Sequence, residues 1–438
     1  MNNQAPSADV AIIGGGLAGL TAATFLARAG RPVVLFEKSQ AVGGRAVTEV
    51  KGDFHFNLGP HALYCAGHGV KVLRELGIKF SGGRPTPSGG YAIDRGVKHT
   101  LPGGFFSLIT TGLFGLAAKL ETARLLAGVS KIDTQAIRHL TVREWLAREI
   151  RQPEVRRLLQ AILRLATYAD DPERQSAGAA LAQFQLAAAS NVYYLDGGWQ
   201  VLVDGLRQVA QEAGVQIVTG ARVVAVEHDE AVRGIRLADG TGYSASSVIV
   251  AASPAIACEL IERGSETVLR EWADAAIPVK AACLNIALSR LPQPRAVFAL
   301  GIDRPLYLSV HSAVAKLAPE GGALIQLAKY LGSGVDADAK AVERELEELL
   351  DLVQPGWREV LVERQFLPQM VVSHALVTAA QGGTAGRPGP EVAGVPGLYV
   401  AGDWVGPEGM LADASLASAK RAAEVILRGE GLQAAAAA

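Results

Sequence analysis

VAIIGGGLAGLTAATFLARAGRPVVLFE, residues 10–37, is the stretch on which the fold turns. Val10 to Ile13 is a short β-branched, apolar run, the pattern of a buried strand. Leu17 to Ala29 is rich in alanine and leucine and stops at Gly30, as a helix closed by a C-terminal glycine does. Pro32 then opens a second strand, Val33 to Glu37. Between the first strand and the helix, Gly14, Gly16 and Gly19 keep the G-x-G-x-x-G spacing. The first glycine permits the tight turn, the second lets the backbone approach a pyrophosphate, and the third lets helix and strand pack closely. The phosphate rests on the helix N-terminus, where unpaired N–H groups and the helix dipole favour negative charge.

Glycine turns are common, and this motif alone is weak. Here it follows a strand, opens a helix, and is followed by an acid at the end of the next strand. Glu37 lies 37 − 19 = 18 residues past Gly19, near the ~20 expected of a ribose-binding acid. Glu37, with Lys38 beside it, accepts from both ribose hydroxyls and repels a 2′-phosphate, which argues against NADP. The βαβ unit by itself does not separate FAD from NAD.

Three further segments do. AVGGRA (41–46) comes just past Glu37, FNLGPHALY (56–64) follows, and PGLYVAGDW (396–404) precedes the last helical stretch. Together with the 197–254 block, this set resembles the FAD-dependent superfamily of amine oxidases, phytoene desaturases, protoporphyrinogen oxidases and Rab GDP-dissociation inhibitors, closest to the phytoene desaturase-like branch. The likeness covers roughly half the chain, at both ends and in that block. It implies an FAD site in which Gly43, Gly44 and Arg45 form a second phosphate-side loop, the guanidinium offsetting pyrophosphate charge. Gly59, Pro60 and His61 fall in a loop at the flavin edge. Val223 offers its backbone to the adenine edge. Gly402 and Asp403 lie by the ribityl and pyrophosphate groups. Met410, Leu411 and Ala412 open the last helix, whose N-terminus faces the flavin pyrimidine ring. Asn57 and Leu58 stand before Gly59 where the family often has an acid. No cysteine lies in the C-terminal segment, so the flavin is expected to be held non-covalently.

The resemblance also bears on substrate. Amine oxidases of this superfamily usually place an aromatic residue at the start of the last helix, as a wall of a cage for the amine. Leu411 falls at that place and offers apolar contact only. Lys280 resembles the amine-oxidase lysine that holds a water near flavin N5, although its flanks match loosely and an exposed strand-end lysine is the plainer reading. Lys280 and His61 are the weak catalytic candidates; Tyr168, His311 and Tyr330 are more simply structural. The activity implied is that of an FAD-dependent oxidase, desaturase or isomerase on a largely apolar substrate, with an amine oxidase or a non-enzymatic escort protein as alternatives. No second glycine fingerprint follows a strand, so a pyridine nucleotide is not a built-in electron donor.

Composition sets the frame. At 438 residues, 49% apolar, the chain is long enough for two to three domains. Its 42 basic and 43 acidic residues give no argument for nucleic acid. Cys65, Cys258 and Cys283 are too far apart for a CxxC pair or a disulfide framework, which suits a reducing cytoplasm, and the N-terminus carries no basic leader. The fold class expected is α/β: a discontinuous Rossmann-type FAD-binding domain (1–95, 191–265 and 372–430) with an inserted α+β substrate domain, helical over 96–190 and sheet-bearing over 266–371. Residues 1–7 and 431–438 read as a disordered lead-in and tail. Phe105 to Ala118 reads as one apolar helix of roughly 14 residues, short of the ~20 that span a bilayer. It lines a cavity or packs in the core, or else makes peripheral membrane contact.

Overall fold

The structure is a computed structural model and describes residues 7–86, 90–334 and 337–437. The opening βαβ unit forms as its sequence dictates. Strands Ser7–Ile13 and Val33–Glu37 pair in parallel around helix Leu17–Arg28. They sit in a seven-stranded sheet ordered 216–219, 33–37, 7–13, 242–250, 232–237, 223–228, with 398–400 pairing on the far half of 242–250. Strand Gly242–Val250 runs parallel to Ser7–Ile13 and carries the antiparallel 223–237 hairpin at its start. One face of this sheet buries Leu20 and Leu26 of the first helix, Leu202 and Leu206 of helix Gln200–Glu212, and Leu416 and Ile426 of the last helix in one core. Elements from both ends of the sequence therefore share one hydrophobic layer. The C-terminal ends of the parallel strands, at Ile13, Glu37, Val250 and Val400, open on one side, where ligands bind in sheets of this kind.

The second layer is another seven-stranded sheet, ordered 361–373, 279–288, 323–331, 306–310, 298–301, 90–94, 97–100. Period-two alternation divides its faces. Ala282, Leu284, Ile286 and Leu288 pack with Leu346 and Leu350 of helix Ala339–Val353. Ala281 and Cys283 face the other way, toward Tyr307, Ala328 and Tyr330. Helices between Phe105 and Ser190 form a third body around Trp145, Leu158 and Leu181.

Three expectations are corrected. The first boundary falls earlier than residue 95, because Gly90–Asp94 and Val97–Thr100 belong to the second sheet, where 90–94 pairs in parallel with 298–301. The apolar stretch from Phe105 is two helices, Phe105–Thr110 and Leu116–Gly128. Thr111 leaves the helix with φ −62° and ψ 135°, and its hydroxyl donates to Thr100 O at 2.7 Å. The same hydroxyl accepts from Leu113 N–H at 3.2 Å, a local side-chain bond of the kind that competes with the helical ladder. Finally, the last helix is Leu411–Ala437 and runs through most of the segment read as a tail; alanine is the best helix former. Residues 1–6 and 438 lie outside the described residues.

Candidate active site: a cavity between the two sheets

A cavity of about 1130 Å³ runs from Glu37 and Val223 to Cys283, Tyr168 and Leu411. Gly14 and Gly16, from the first strand-to-helix turn, line it. A Cβ on Gly16 would meet nothing within 4 Å, so the space above it is open to a ligand. Gly19 does not line the cavity. A Cβ there would lie 1.8 Å from Gly14 O, which makes it the close-packing glycine of helix against strand. The second loop docks on the first, with Gly43 N–H donating to Gly15 O at 2.8 Å.

Glu37 is buried, and its carboxylate is fixed by two backbone donors. Gly15 N–H reaches Oε2 and Ser39 N–H reaches Oε1, both at 2.8 Å. Each oxygen keeps a lone pair for a ribose hydroxyl. Lys38 and Val223 line the same end.

Arg45 and Asp403 meet across 358 residues of sequence, Nη1 to Oδ2, at 2.7 Å. Arg45 Nη1 also donates to Val372 O at 3.0 Å. Burial alone would raise the Asp403 carboxyl, but the Arg45 guanidinium and the bond from His374 outweigh it and hold the acid well below the usual carboxylate range. Asp403 therefore stays ionised as a buried anion beneath a half-exposed guanidinium.

Gly44, Pro60, Gly402 and Ala412 line the cavity. Gly59 does not; a Cβ on it would come within 2.6 Å of Cys283 Sγ. His61 lines the cavity too, but both ring nitrogens are turned to backbone: Nδ1 lies 2.9 Å from Gly59 O and Nε2 lies 3.1 Å from Arg45 O. A neutral imidazole donates to one of these only. Burial lowers its pKa, while the two carbonyls act in the opposite sense. The ring also packs edge-on against Trp199, 4.9 Å between centroids. It buttresses the phosphate-side loop, which weakens its case as a catalytic group.

Lys280 is absent from the lining. Its neighbours Ala281 and Cys283 are in it only by odd parity, so Lys280 sits on the opposite face of the strand. Met410 is likewise buried away from the cavity, against Ala179 and Val377. Leu411 does reach it, and does so with φ 56°, a left-handed conformation that a leucine rarely adopts.

Several lining residues carried no motif: Trp199, Ala281, Cys283, Met370, His374 and Asp413; Tyr64, which closes the 56–64 motif, carried no assigned role. The alternation of 279–288 around its odd face is the signal that points to Cys283. Burial pushes the Cys283 thiol up to about 12, so it is a neutral, non-nucleophilic wall at neutral pH. Tyr168 lines the cavity, whereas His311 and Tyr330 do not.

Comparison with known proteins fits this geometry. The model of the family described as flavin containing amine oxidoreductase matches residues 17–278. The chain belongs to that family. Its cofactor is FAD, and the open space over Gly16, the fixed Glu37 carboxylate and the Arg45–Asp403 pair suit a dinucleotide held across the strand ends. Among curated relatives, AofH of Mycobacterium tuberculosis, named as a flavin-containing monoamine oxidase, is 32% identical over 272 residues, 58% of each chain. The 4,4'-diaponeurosporene oxygenase of Staphylococcus aureus is 22% identical over 281 residues, 55% of this chain and 54% of that one. The chain thus matches little more than half the length of these relatives. An oxidoreductase of Methanosarcina mazei has a similar fold, with TM-score 0.74 at 18% identity over 96% of this chain and 99% of the other.

Asp413, in the first turn of the last helix, has a measurable signature. Its Oδ1 accepts from Gly69 N–H at 2.8 Å. Its buried Oδ2 has no hydrogen-bond partner among the described residues. Burial, opposed by that bond and by Lys71, pushes the carboxyl up from 3.8 to about 6. A raised folded pKa means the folded state binds the proton more tightly than the unfolded chain. Its stability contribution is complete below 3.8 and is lost as pH rises through about 6. A shift of this size corresponds to ~2–3 kcal/mol. Asp413→Asn, which keeps the acceptor for Gly69, is expected to melt higher than wild type at pH 7.5 and to match it near pH 3.5. Melting curves of the flavin-free protein across this range check it; equal melting temperatures at pH 7.5 contradict it.

Proposed function

We propose that this chain is an FAD-dependent oxidoreductase that removes hydride from a C–H bond of a largely apolar substrate, such as an isoprenoid or tetrapyrrole. The observation that carries this reading is the composition of the cavity at the end away from Glu37. Leu411, Met370, Ala281 and Cys283 form its walls, Cys283 is neutral, and Lys280 faces elsewhere. The two tyrosines there have committed hydroxyls. Tyr168 OH donates to Pro60 O at 3.1 Å, and Tyr64 OH donates to Ala166 O at 2.7 Å. They present ring carbon to a substrate rather than hydrogen-bonding capacity.

When bound, FAD supplies the hydride acceptor at flavin N5. The protein side of the chemistry is position and exclusion of water. Burying each large apolar side chain against a substrate contributes ~1.5–3 kcal/mol, so this lining holds an apolar molecule without an ion pair. Arg45 offsets phosphate charge while Asp403 keeps the guanidinium in place. Cys283 Sγ packs on Gly59 as a protonated thiol, which supports non-covalent flavin.

The second reading is an amine oxidase. It draws on the likeness to AofH and on the ring faces of Tyr64 and Tyr168, which can receive a polarised nitrogen. Flavin bleaching under anaerobic conditions separates the two. Isoprenoid or tetrapyrrole substrates are expected to bleach the flavin, and small primary amines to leave it oxidised. The reverse pattern promotes the amine oxidase and overturns the first reading.

A further inference from the structure

Exposed apolar side chains are ordinarily scattered singly over a protein surface. Here they gather at one tip. Phe105 and Phe106 are 72% and 81% exposed and pack only edge to face on each other, 5.6 Å between centroids. Ile109, Leu116, Leu120 and Leu126 are also exposed. These six are half of the twelve large hydrophobic residues exposed among the described residues. The same two helices point Leu108, Ala118 and Thr122 inward, where they are buried, as is Phe114 in the turn between them. The outer set is therefore a second apolar face with none of the described residues over it.

The charge around the tip is one-sided. From Phe105 to Lys131 the bases are Lys119, Arg124 and Lys131, and the acid is Glu121, whereas Lys98 on the adjoining strand is turned to Leu352 O. The Glu121 carboxylate is turned inward, accepting from Arg151 N–H and Gln152 N–H at 2.8 Å each. Lys119 Nζ donates to Ile109 O and ties the second tip helix to the end of the first. A self-contact between two copies would bring these like charges together, which is unfavourable. An anionic lipid surface is their complement. No described helix is long and apolar enough to cross a membrane.

We infer that the Phe105–Gly128 tip docks on an anionic bilayer, its phenylalanine and leucine side chains in the acyl boundary and its basic residues at the headgroup phosphates. The tip lies one helix from the cavity. Helix Leu116–Gly128 packs against Pro153–Thr167, and Tyr168, the next residue, lines the cavity. An enzyme for apolar substrates gains access to a membrane-dissolved pool from such a position, although docking itself does not depend on what the substrate is.

Co-sedimentation of the FAD-loaded protein with vesicles tests this in the absence of any substrate. Vesicles of phosphatidylcholine mixed with phosphatidylglycerol are expected to carry the protein down, less so at high salt, and phosphatidylcholine alone to carry much less. Phe105→Glu/Phe106→Glu is expected to weaken binding at least ~10-fold, with flavin content unchanged as the sign of an intact fold. Leu116→Gln/Leu120→Gln, on the other helix, gives the same answer if the first pair fails to fold. Wild type that stays in the supernatant, or variants that sediment as well as wild type, overturn the inference. So does a lipid-free dimer, seen by sedimentation velocity, that the same substitutions abolish.

Discussion

Gly16→Val is expected to give a folded protein that no longer holds FAD, whereas Gly19→Ala, a smaller change three residues on, is expected to damage the fold itself. Gly16 has φ −78° and ψ −173°, an extended conformation open to any residue, and its added Cβ meets nothing. The side chain would stand in the cavity, where the second glycine of the motif leaves room for pyrophosphate. FAD affinity should fall at least ~100-fold, about 2.8 kcal/mol, with the melting temperature of the flavin-free protein little changed. At Gly19 the Cβ would sit 1.8 Å from a backbone oxygen, which neither helix nor strand can avoid without moving. Overpacking costs ~1–3 kcal/mol, and a contact with rigid backbone puts this site at the upper end of that range. The two variants are compared by circular dichroism melts and by titration of flavin fluorescence. A Gly16→Val protein that binds FAD like wild type would move the pyrophosphate elsewhere.

The second large effect is expected at the Arg45–Asp403 pair. Asp403 is only 2% exposed and Arg45 is 35% exposed, so the partners are not equivalent. Arg45→Ala leaves a buried carboxylate with His374 as its hydrogen-bonding partner, its N–H at 3.3 Å and its ring Nδ1 at 3.3 Å, and with Arg387 acting on it through charge alone. Stranding a buried charge in this way costs ~3–5 kcal/mol. Adding Asp403→Asn removes that charge and should recover most of the loss. FAD binding should remain weak in both proteins, because the guanidinium that offsets phosphate charge is missing from each. Urea denaturation of the flavin-free proteins reads the first effect and flavin titration the second. If the double variant is no more stable than Arg45→Ala, the pair does not account for the loss.

What the sequence disclosed followed from the physics of each signal. Gly14, Gly16 and Glu37 line the cavity and were marked by a strand-to-helix turn that allows few residue types at fixed spacing, whereas Arg45 and Asp403, which line it too, were marked only by the resemblance to a flavoprotein superfamily. The meeting of both chain ends in one layer was expected because the phosphate fingerprint and the last helix had to reach one cofactor. The edge at residue 95 was not, since Gly90–Asp94 and Val97–Thr100 are short strands whose partner, Phe298–Gly301, lies some 200 residues on. Lys280 was misleading because side chains alternate along a strand, and a displacement of one residue exchanges cavity for opposite face. The Thr111–Gly112 break falls on two weak helix formers, and the apolar residues on either side of them led to the reading of a single helix. Asp413 belongs to no local pattern and Cys283 is marked only by the alternation of its strand; the docking of distant elements brings both to the cavity.

The sharing of one sheet by both ends of the sequence bears on how the protein is made. The strand Ser7–Ile13 leaves the ribosome early, yet its partner Gly242–Val250 is still untranslated. Asp403 follows Gly16 by 403 − 16 = 387 residues, which at ~5–20 residues per second is ~20–80 s of synthesis. Throughout that interval the phosphate loop exists without its anion partner, and an apolar strand has an open edge. FAD is therefore expected to be captured after translation rather than during it, and a cell short of flavin would accumulate a chain whose final closing step has no ligand to favour it.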